Sequence, residues 1–136
     1  MQINMKENQQ IEFKQTWRDE YLKWICGFAN AEGGKILVGV NDDGTVCGIS
    51  DAKRLIEDIP NKVKSALAIV PLVNLLEKDG LEYIEISISP YPFPVSYGGR
   101  YYMRSGATNQ LLNGQALDAF ILKKQGITWD SIPVTQ

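Results

Sequence analysis

The stretch FANAEGGKILVGVNDDG at residues 28–44 carries the strongest fold signal in the chain. It begins at the end of an apolar run with helical spacing, which the glycine pair at 33 and 34 brings to a stop. Residues 35–40 form a nearly continuous apolar run of strand length, typical of a central strand covered on both faces. The sequence Asn41-Asp42-Asp43-Gly44 then predicts a tight turn, with residues 45–49 returning as a partner strand.

Upstream of this stretch, the pattern predicts one strand and one helix. Residues 11–14 alternate between apolar and charged side chains, so they predict a short strand with one face toward the core. Thr16 is a candidate N-cap for a helix over about residues 17–31, in which large apolar side chains recur at helical spacing.

Downstream, the chain continues with a helical region and a hairpin. Ser50 is a candidate cap for a helix over about residues 51–69. Pro60 leaves two alternatives for this region, one kinked helix or two short helices. Residues 73–78 and 81–89 predict an antiparallel hairpin joined by an Asp-Gly turn.

The C-terminal part predicts less regular structure. Prolines at 90, 92 and 94 exclude a central strand in that segment. Residues 100–104 predict the last strand, and a final helix over about residues 114–124 is expected to end at Gly126. Nothing in the short tail closes a fold, so the sequence is expected to be part of a longer protein.

Length and charge limit the classes of function. With 136 residues, the chain fits one domain, and a formal net charge of -2 excludes a histone-like protein. Any nucleic-acid binding must therefore come from a local basic face. The sequence contains no histidine, which excludes Ser-His-Asp and Cys-His catalysis.

The expected cellular compartment is inferred from the lack of a membrane-span pattern and of a signal-peptide pattern in the sequence. No apolar run approaches the roughly 18 residues of a membrane span, and the N-terminal residues do not resemble a signal peptide. The cytoplasm is therefore the expected location, and no membrane partner is expected. Cys26 and Cys47 fall in a helical and a strand pattern, so both are expected to be reduced and buried.

Acidic residues form the first candidate site. Glu12 lies on the first predicted strand, and Asp42 and Asp43 follow the central strand, so these carboxylates converge if the two strands are neighbours. Together with Glu7 they could hold Mg²⁺ or Mn²⁺ and activate water for phosphodiester attack. The alternative is that they are solvated carboxylates and turn formers, and spacing alone favours this second interpretation.

Basic residues near the last strand form the second candidate site. Alternation puts Tyr101 and Met103 on one face, expected to be core, and Arg100, Tyr102 and Arg104 on the other. Aromatic and arginine side chains exposed on a sheet can stack on bases and contact phosphates. The alternative is an ordinary amphipathic strand.

Taken in order, four motifs resemble the Schlafen AlbA-like domain family. They are ENQQIEFK at residues 7–14, FANAEGG at 28–34, GVNDDG at 39–44 with Gly48, and YMRSG at 102–106. The family patterns are E-x4-E-F-K, A-F-A-N-t-x-G-G, G-V-x-D-x-G-x-x-G and Y-x-R-x-G. The resemblance implies an α+β fold with a mixed, largely antiparallel sheet and about three helices, forming a single domain over residues 1–136.

The resemblance also implies DNA or RNA binding, as expected for bacterial members that act as transcriptional regulators. In vertebrate members this core is a metal-dependent RNase using two glutamates and an aspartate, which by motif position correspond to Glu7, Glu12 and Asp42. Asn41 departs from the acidic residue that many members carry, which weakens the metal site. The vertebrate nuclease also uses two lobes, so a homodimer would be needed to imitate it.

We therefore expect a nucleic-acid-binding module in which Lys14, Arg100 and Arg104 contact phosphate, with binding favoured over catalysis. Two alternatives remain open. One is a Mg²⁺- or Mn²⁺-dependent nuclease with Glu7, Glu12 and Asp42 as catalytic and metal-binding residues. The other is a protein-interaction or dimerisation domain, which the acidic net charge favours.

Overall fold

The computed structural model describes residues 10–131, with side chains described for residues 10–126. It contains six strands, three α-helices and a short 3-10 turn. In chain order the elements are β1 (Ile11–Lys14), the 3-10 turn (Asp19–Tyr21), α1 (Leu22–Asn30), β2 (Gly34–Val38), α2 (Ala52–Leu67), β3 (Leu72–Lys78), β4 (Leu81–Ile88), β5 (Tyr101–Ser105), β6 (Thr108–Leu112) and α3 (Gly114–Ser131).

The main sheet has four strands in the order β1-β2-β4-β3. β1 runs parallel to β2, while the β2–β4 and β3–β4 pairs are antiparallel. β5 and β6 form a separate antiparallel hairpin. The predicted α+β class, with a mixed and largely antiparallel sheet and about three helices, is confirmed.

The core lies between one face of this sheet and the helices α1 and α2. From α2 it takes apolar side chains at every fourth position, which are Leu55, Ile59, Val63 and Leu67. From the sheet it takes alternate residues of β2 and β4, which are Ile36, Val38, Ile84, Ile86 and Ile88. Each such side chain contributes about 1.5–3 kcal/mol through removal of apolar surface from water.

Both predicted helix caps are wrong. Thr16 does not begin a helix; a 3-10 turn at Asp19–Tyr21 leads into α1, and no side-chain cap bond is formed there. α2 begins at Ala52, so Asp51 rather than Ser50 holds the cap position, again without a side-chain bond. α2 runs through Pro60 as one helix, which decides between the two alternatives that the sequence left open.

The predicted strand over residues 45–49 is reduced to an isolated bridge between Val40 and Val46. The turn before it is present, with the Asn41 N–H donating to the Thr45 carbonyl at 2.8 Å. The chain then leaves the sheet because Cys47 and Gly48 both donate to the Gly39 carbonyl. This path exposes Cys47, so the prediction that both thiols are buried holds for Cys26 alone.

The C-terminal part differs from the sequence prediction in two respects. β5 is followed by β6, a strand whose sequence TNQLL has no apolar alternation to reveal it. α3 continues to Ser131, past the expected end at Gly126. Among the helices of residues 10–131, none has both the length and the apolar character to cross a bilayer.

Candidate nucleic-acid interface

β1 presents Glu12 and Lys14 to the sheet face that α1 covers. Their register partners on β2 are Ile36 and Val38, which belong to the core between the sheet and the helices. Because alternate residues of a strand share a face, Glu12 and Lys14 point the same way and Phe13 points the other way. Glu12 is consequently buried, with 5% of its surface exposed.

The buried carboxylate of Glu12 is held by two cations. Arg104 Nη1 donates to Glu12 Oε1 at 2.7 Å, and Lys14 Nζ lies 3.1 Å from Glu12 Oε2. Arg104 Nη2 also donates to the Ile11 carbonyl at 3.1 Å, which fixes the guanidinium against β1. A buried carboxylate is costly unless it is paired and hydrogen-bonded, and both oxygens of Glu12 meet that condition.

Aromatic rings from α1 and the preceding turn surround both cations. Lys14 Nζ lies 4.4 Å from the centroid of Trp24 and 4.6 Å from that of Tyr21. The guanidinium carbon of Arg104 lies 5.4 Å from the Trp24 centroid and 4.9 Å from that of Phe28. Trp24 therefore contacts both cations, and these cation–π contacts stabilise positive charge beside β1.

A groove of about 390 Å³ opens over this cluster, and we call it the Lys14 groove. Arg18 is exposed and makes no ion pair with another described residue, so its charge is available to a ligand. Asp42 is also exposed and comes from the turn after β2. The residues that line the groove are Glu12, Phe13, Lys14, Gln15, Thr16, Arg18, Tyr21 and Asp42.

The structure brings three of the six predicted site residues to this groove: Glu12, Lys14 and Asp42. Glu7 lies outside the described residues. Arg100 is exposed in the turn that begins at Tyr97, and it does not line the groove. Arg18 was missed because one arginine between a strand and a helix has no motif to mark it.

The predicted faces of β5 are reversed. Tyr102 and Arg104, expected on the exposed face, are buried, whereas Tyr101 and Met103 are only partly buried. The reason is that β5 packs against α1, where Arg104 finds the carboxylate of Glu12. With 2% of its surface exposed, Arg104 supports the groove from beneath and is not an exposed cation on the sheet.

Asn30, the last residue of α1, connects this helix to β5. Its Nδ2 donates to the carbonyls of Val95 and Tyr102 at 2.8 and 2.7 Å, and its Oδ1 accepts from the Val95 N–H at 2.7 Å. A buried amide with its polar groups satisfied fixes the distance between the elements that it joins. Asn30 thereby holds the strand that carries Arg104.

The described donors do not fit a divalent metal ion. Mg²⁺ and Mn²⁺ prefer free carboxylate oxygens, whereas both oxygens of Glu12 already accept from cations. Within the described part of the chain, no three Asp, Glu, Cys or His side chains are grouped to bind a metal. Because Glu7 lies outside the described residues, the metal site of Glu7, Glu12 and Asp42 stays a prediction.

Asp43, the neighbouring candidate carboxylate, has a local role. Its Oδ1 accepts from the Thr45 N–H at 2.9 Å, which closes the turn after β2. Hydrogen bonding from Thr45 lowers the pKa of Asp43 below its ordinary value. Asp43 is therefore an ionised turn former, in agreement with the structural alternative given for this residue.

A second groove of about 470 Å³ is lined in part by Met103, Arg104 and Ser105 of β5. It is also lined by the end of α1, the β5–β6 turn and α3, which contributes Lys123 and Lys124. Lys124 Nζ donates to the Tyr91 carbonyl at 2.7 Å. Burial, and secondly the charge of Lys123, lower the pKa of Lys124. Arg104 also lines this second groove, together with Glu32, so Lys123 is the residue there that is remote from the Lys14 groove and serves to test it.

Comparison with known proteins supports the resemblance noted in the sequence. The family described as Schlafen, AlbA_2 matches residues 7–113. The DIP2311 protein from Corynebacterium diphtheriae has a similar fold, with a TM-score of 0.65 and 19% identity over 77% of this chain and 22% of that chain. The present chain thus spans about a fifth of DIP2311.

A second similar structure is the N-terminal domain of a protein from Nitrosomonas europaea, described as related to the ATP-dependent DNA helicase RecG. It has a TM-score of 0.52 and 17% identity, over 83% of this chain and 84% of that chain. At these identities both likenesses establish the fold and nothing further.

Proposed function

The chain belongs to the Schlafen AlbA_2 family, and on that premise we propose that it is a nucleic-acid-binding module whose contact surface is the Lys14 groove. The observation that carries the proposal is the grouping of Lys14 and Arg18 beside the Tyr21 ring. Arginine and lysine bind phosphate, and an aromatic ring provides a stacking surface for a base.

The charge balance within the groove supports binding without cleavage. Glu12 is neutralised by Lys14 and by Arg104, which leaves Arg18 and Asp42 as the exposed charges of the groove. The partner that fits this arrangement is DNA or RNA, held by phosphate contacts that salt weakens. The N. europaea protein with a similar fold is described as helicase-related, which agrees with this partner.

The larger role that we propose is the nucleic-acid-binding part of a bacterial transcriptional regulator in the cytoplasm. This extension rests on the family resemblance and on no particular contact within the domain. The proposal for the groove stands independently of it.

The test is a gel-shift titration of the purified domain against labelled single-stranded RNA and duplex DNA, at low salt, in Mn²⁺ and in EDTA. We expect a shift of equal strength in both conditions, with the probe left at full length. Arg18→Ala should weaken binding about tenfold, since one phosphate contact is worth on the order of 1–2 kcal/mol. Lys123→Ala, in the second groove, is the matched control and should bind as the native domain does.

Three outcomes contradict the proposal. A shift weakened by Lys123→Ala and unchanged by Arg18→Ala would assign binding to the second groove. Cleavage of the probe in Mn²⁺ that disappears in Glu12→Gln would replace the module with a metal-dependent nuclease. The absence of both shift and cleavage at high protein concentration would favour the protein-interaction alternative.

A further inference from the structure

β3 lies at one edge of the main sheet. Its register partner is β4, and no other described residue pairs with its outer edge. An outer strand presents a row of backbone N–H and C=O groups that can pair with another strand. Proteins commonly block such edges with proline, lysine or a bulge; here Pro71 and Lys78 stand only at the two ends of β3, and its middle reads Leu72-Val73-Asn74-Leu75-Leu76.

Exposed apolar side chains concentrate along this edge. Val70, Leu72 and Leu75 have 71%, 63% and 37% of their surface exposed. The patch continues to Phe93, which is 52% exposed, because Val70 N donates to the Tyr91 hydroxyl at 3.4 Å and the Tyr91 and Phe93 rings lie 5.4 Å apart. We call Val70, Leu72, Leu75 and Phe93 the β3 patch; strand alternation puts Leu72 and Leu75 on opposite sheet faces, so the patch lies around the outer edge of β3 and not on one face.

We propose that β3 pairs antiparallel with β3 of a second copy of this chain, about a two-fold axis at Asn74. In this register Leu72 lies opposite Leu76 of the second copy, Val73 opposite Leu75, and Asn74 opposite Asn74. Each pair shares a sheet face and matches apolar with apolar or amide with amide. The sheet would become a continuous eight-stranded sheet across the dimer.

The sequence of β3 matches itself when two copies run antiparallel, so a second copy of the chain is the partner that fits this edge. The way the side chains match also selects the register of the pair. Centring the pair on Leu75 would place Leu72 opposite Lys78 and Val73 opposite Glu77, which sets apolar side chains against charged ones. Centring it on Asn74 also sets two charged side chains against apolar ones, Glu77 opposite Pro71 and Lys78 opposite Val70, but only at the ends of the strand. It keeps the Leu72–Leu76 and Val73–Leu75 pairs, which the register centred on Leu75 loses.

The surface that two copies would bury in this arrangement is that of a weak but specific dimer. Fully exposed side chains of this size present on the order of 150–200 Å², so the β3 patch offers roughly 400 Å² in each copy. With the paired backbone edges, two copies would bury on the order of 1,000 Å², which is the lower limit for a specific interface. The dimer should therefore dissociate on dilution.

Sedimentation equilibrium of the whole chain over a range of concentrations tests this proposal, which does not depend on nucleic-acid binding. We expect the mass to rise from monomer to dimer with concentration. Leu72→Lys should shift this transition at least tenfold upward in concentration, because a lysine on the outer strand opposes an apolar partner. Leu122→Lys is the matched control, since Leu122 on α3 is equally exposed at 66%, and should leave the transition unchanged.

The register has its own test by oxidation in a Cys47→Ser background, which removes the exposed native thiol. Asn74→Cys should form a disulfide-linked dimer, since residues directly opposite in an antiparallel pair have Cα atoms about 4.5–5.5 Å apart. Glu77→Cys should stay unlinked, because Glu77 lies opposite Pro71. A monomer at all concentrations, an effect of Leu122→Lys equal to that of Leu72→Lys, or linkage through Glu77→Cys alone would overturn the proposal.

Discussion

Asn30, the last residue of α1, makes three side-chain hydrogen bonds to backbone groups outside its own helix. Its amide donates to the carbonyls of Val95 and Tyr102 and accepts from the N–H of Val95. Asn30→Ala removes these three bonds; the Val95 carbonyl keeps the Cys26 thiol as a donor at 3.2 Å, and each group left unsatisfied costs about 1–3 kcal/mol. We expect the free energy of unfolding to fall by about 3–5 kcal/mol, measured by urea denaturation.

The control for this prediction is Asn61→Ala. Asn61 is exposed inside α2, where alanine has the higher helix propensity, so this variant should lose no stability. Equal losses in the two variants would mean that the hydrogen bonds of Asn30 do not decide its contribution.

Cys26 gives a pH dependence at the residue scale. Burial raises the pKa of its thiol from 9.0 to about 11. Between these values the unfolded chain loses the proton and the native chain keeps it, so stability is lost as pH rises through this range. Two units of pKa correspond to about 2–3 kcal/mol.

We therefore expect the stability difference between the native protein and Cys26→Ala to narrow from pH 9 to pH 11, because only the native protein carries this linkage. Urea denaturation at several pH values measures it. In parallel, a thiol reagent at pH 8 should label Cys47 rapidly and Cys26 only after unfolding, since Cys26 is buried and Cys47 is exposed. Parallel pH profiles for the two proteins would contradict the first expectation.

At the scale of elements, the contact between α1 and β6 makes Gly27 an exception to the rule that alanine stabilises a helix more than glycine does. Alanine in place of glycine inside a helix usually adds up to about 1 kcal/mol of stability. At Gly27, however, an added Cβ would overlap the Oδ1 of Asn109, whose Nδ2 donates to the Lys23 carbonyl at 3.0 Å. We expect Gly27→Ala to lower the free energy of unfolding by about 1–3 kcal/mol.

Gly126→Ala in α3 is the comparison, because nothing lies within 4 Å of a Cβ at that position. It should raise stability by up to about 1 kcal/mol. Thermal denaturation of the two variants should give shifts of opposite sign, and a gain at both sites would show that β6 moves freely away from α1.

β1 and β5 are joined through the buried pair of Glu12 and Arg104. Arg104→Met leaves the buried Glu12 carboxylate with Lys14 alone, and Glu12→Leu removes the carboxylate that pairs with Arg104. Each change should cost up to about 3–5 kcal/mol. The double variant should recover more than half of the summed loss, as a double-mutant cycle with urea denaturation would measure. Losses that simply add would mean that the two side chains act independently.

The elements that the sequence predicted are those whose pattern is local. The i, i+4 spacing of Leu55, Ile59 and Val63 specified α2, and the Asp79-Gly80 turn specified the β3–β4 hairpin. β6 was missed because its sequence has no periodic apolar pattern and it is a strand only through pairing with β5. The predicted N-caps were wrong because neither helix begins with a side-chain cap bond. Packing, rather than Thr16 or Ser50, sets where α1 and α2 begin.

The sequence predicted those parts of the candidate site that depend only on two strands being neighbours in the sheet. Parallel pairing of β1 and β2 brings Glu12 near the turn that holds Asp42, as expected for neighbouring strands. The burial of Arg104 was not predictable, since a charged residue in a strand ordinarily indicates a solvated face. Its partner lies 92 positions earlier in the chain, so only the tertiary fold brings the two together.

For the whole molecule, the net charge of -2 limits how nucleic acid can be held. With Arg18 as the exposed phosphate contact and Lys14 shared between Glu12 and the ligand, the logarithm of the duplex binding constant should fall with the logarithm of salt concentration with a slope of about -1 to -2. Arg18→Ala should make the slope shallower by about 1. Fluorescence anisotropy at several salt concentrations measures this, and a slope near zero would exclude phosphate contacts.

The network of Asn30 has a consequence for synthesis on the ribosome. Its partners Val95 and Tyr102 lie 65 and 72 positions later in the chain, and Arg104 follows shortly after. A nascent chain that has emerged only as far as the β3–β4 hairpin therefore exposes an amide and a carboxylate awaiting partners. The connection between α1 and β5 can form only once β5 has left the exit tunnel, so the main sheet is synthesised before the side chains that anchor α1 find their partners.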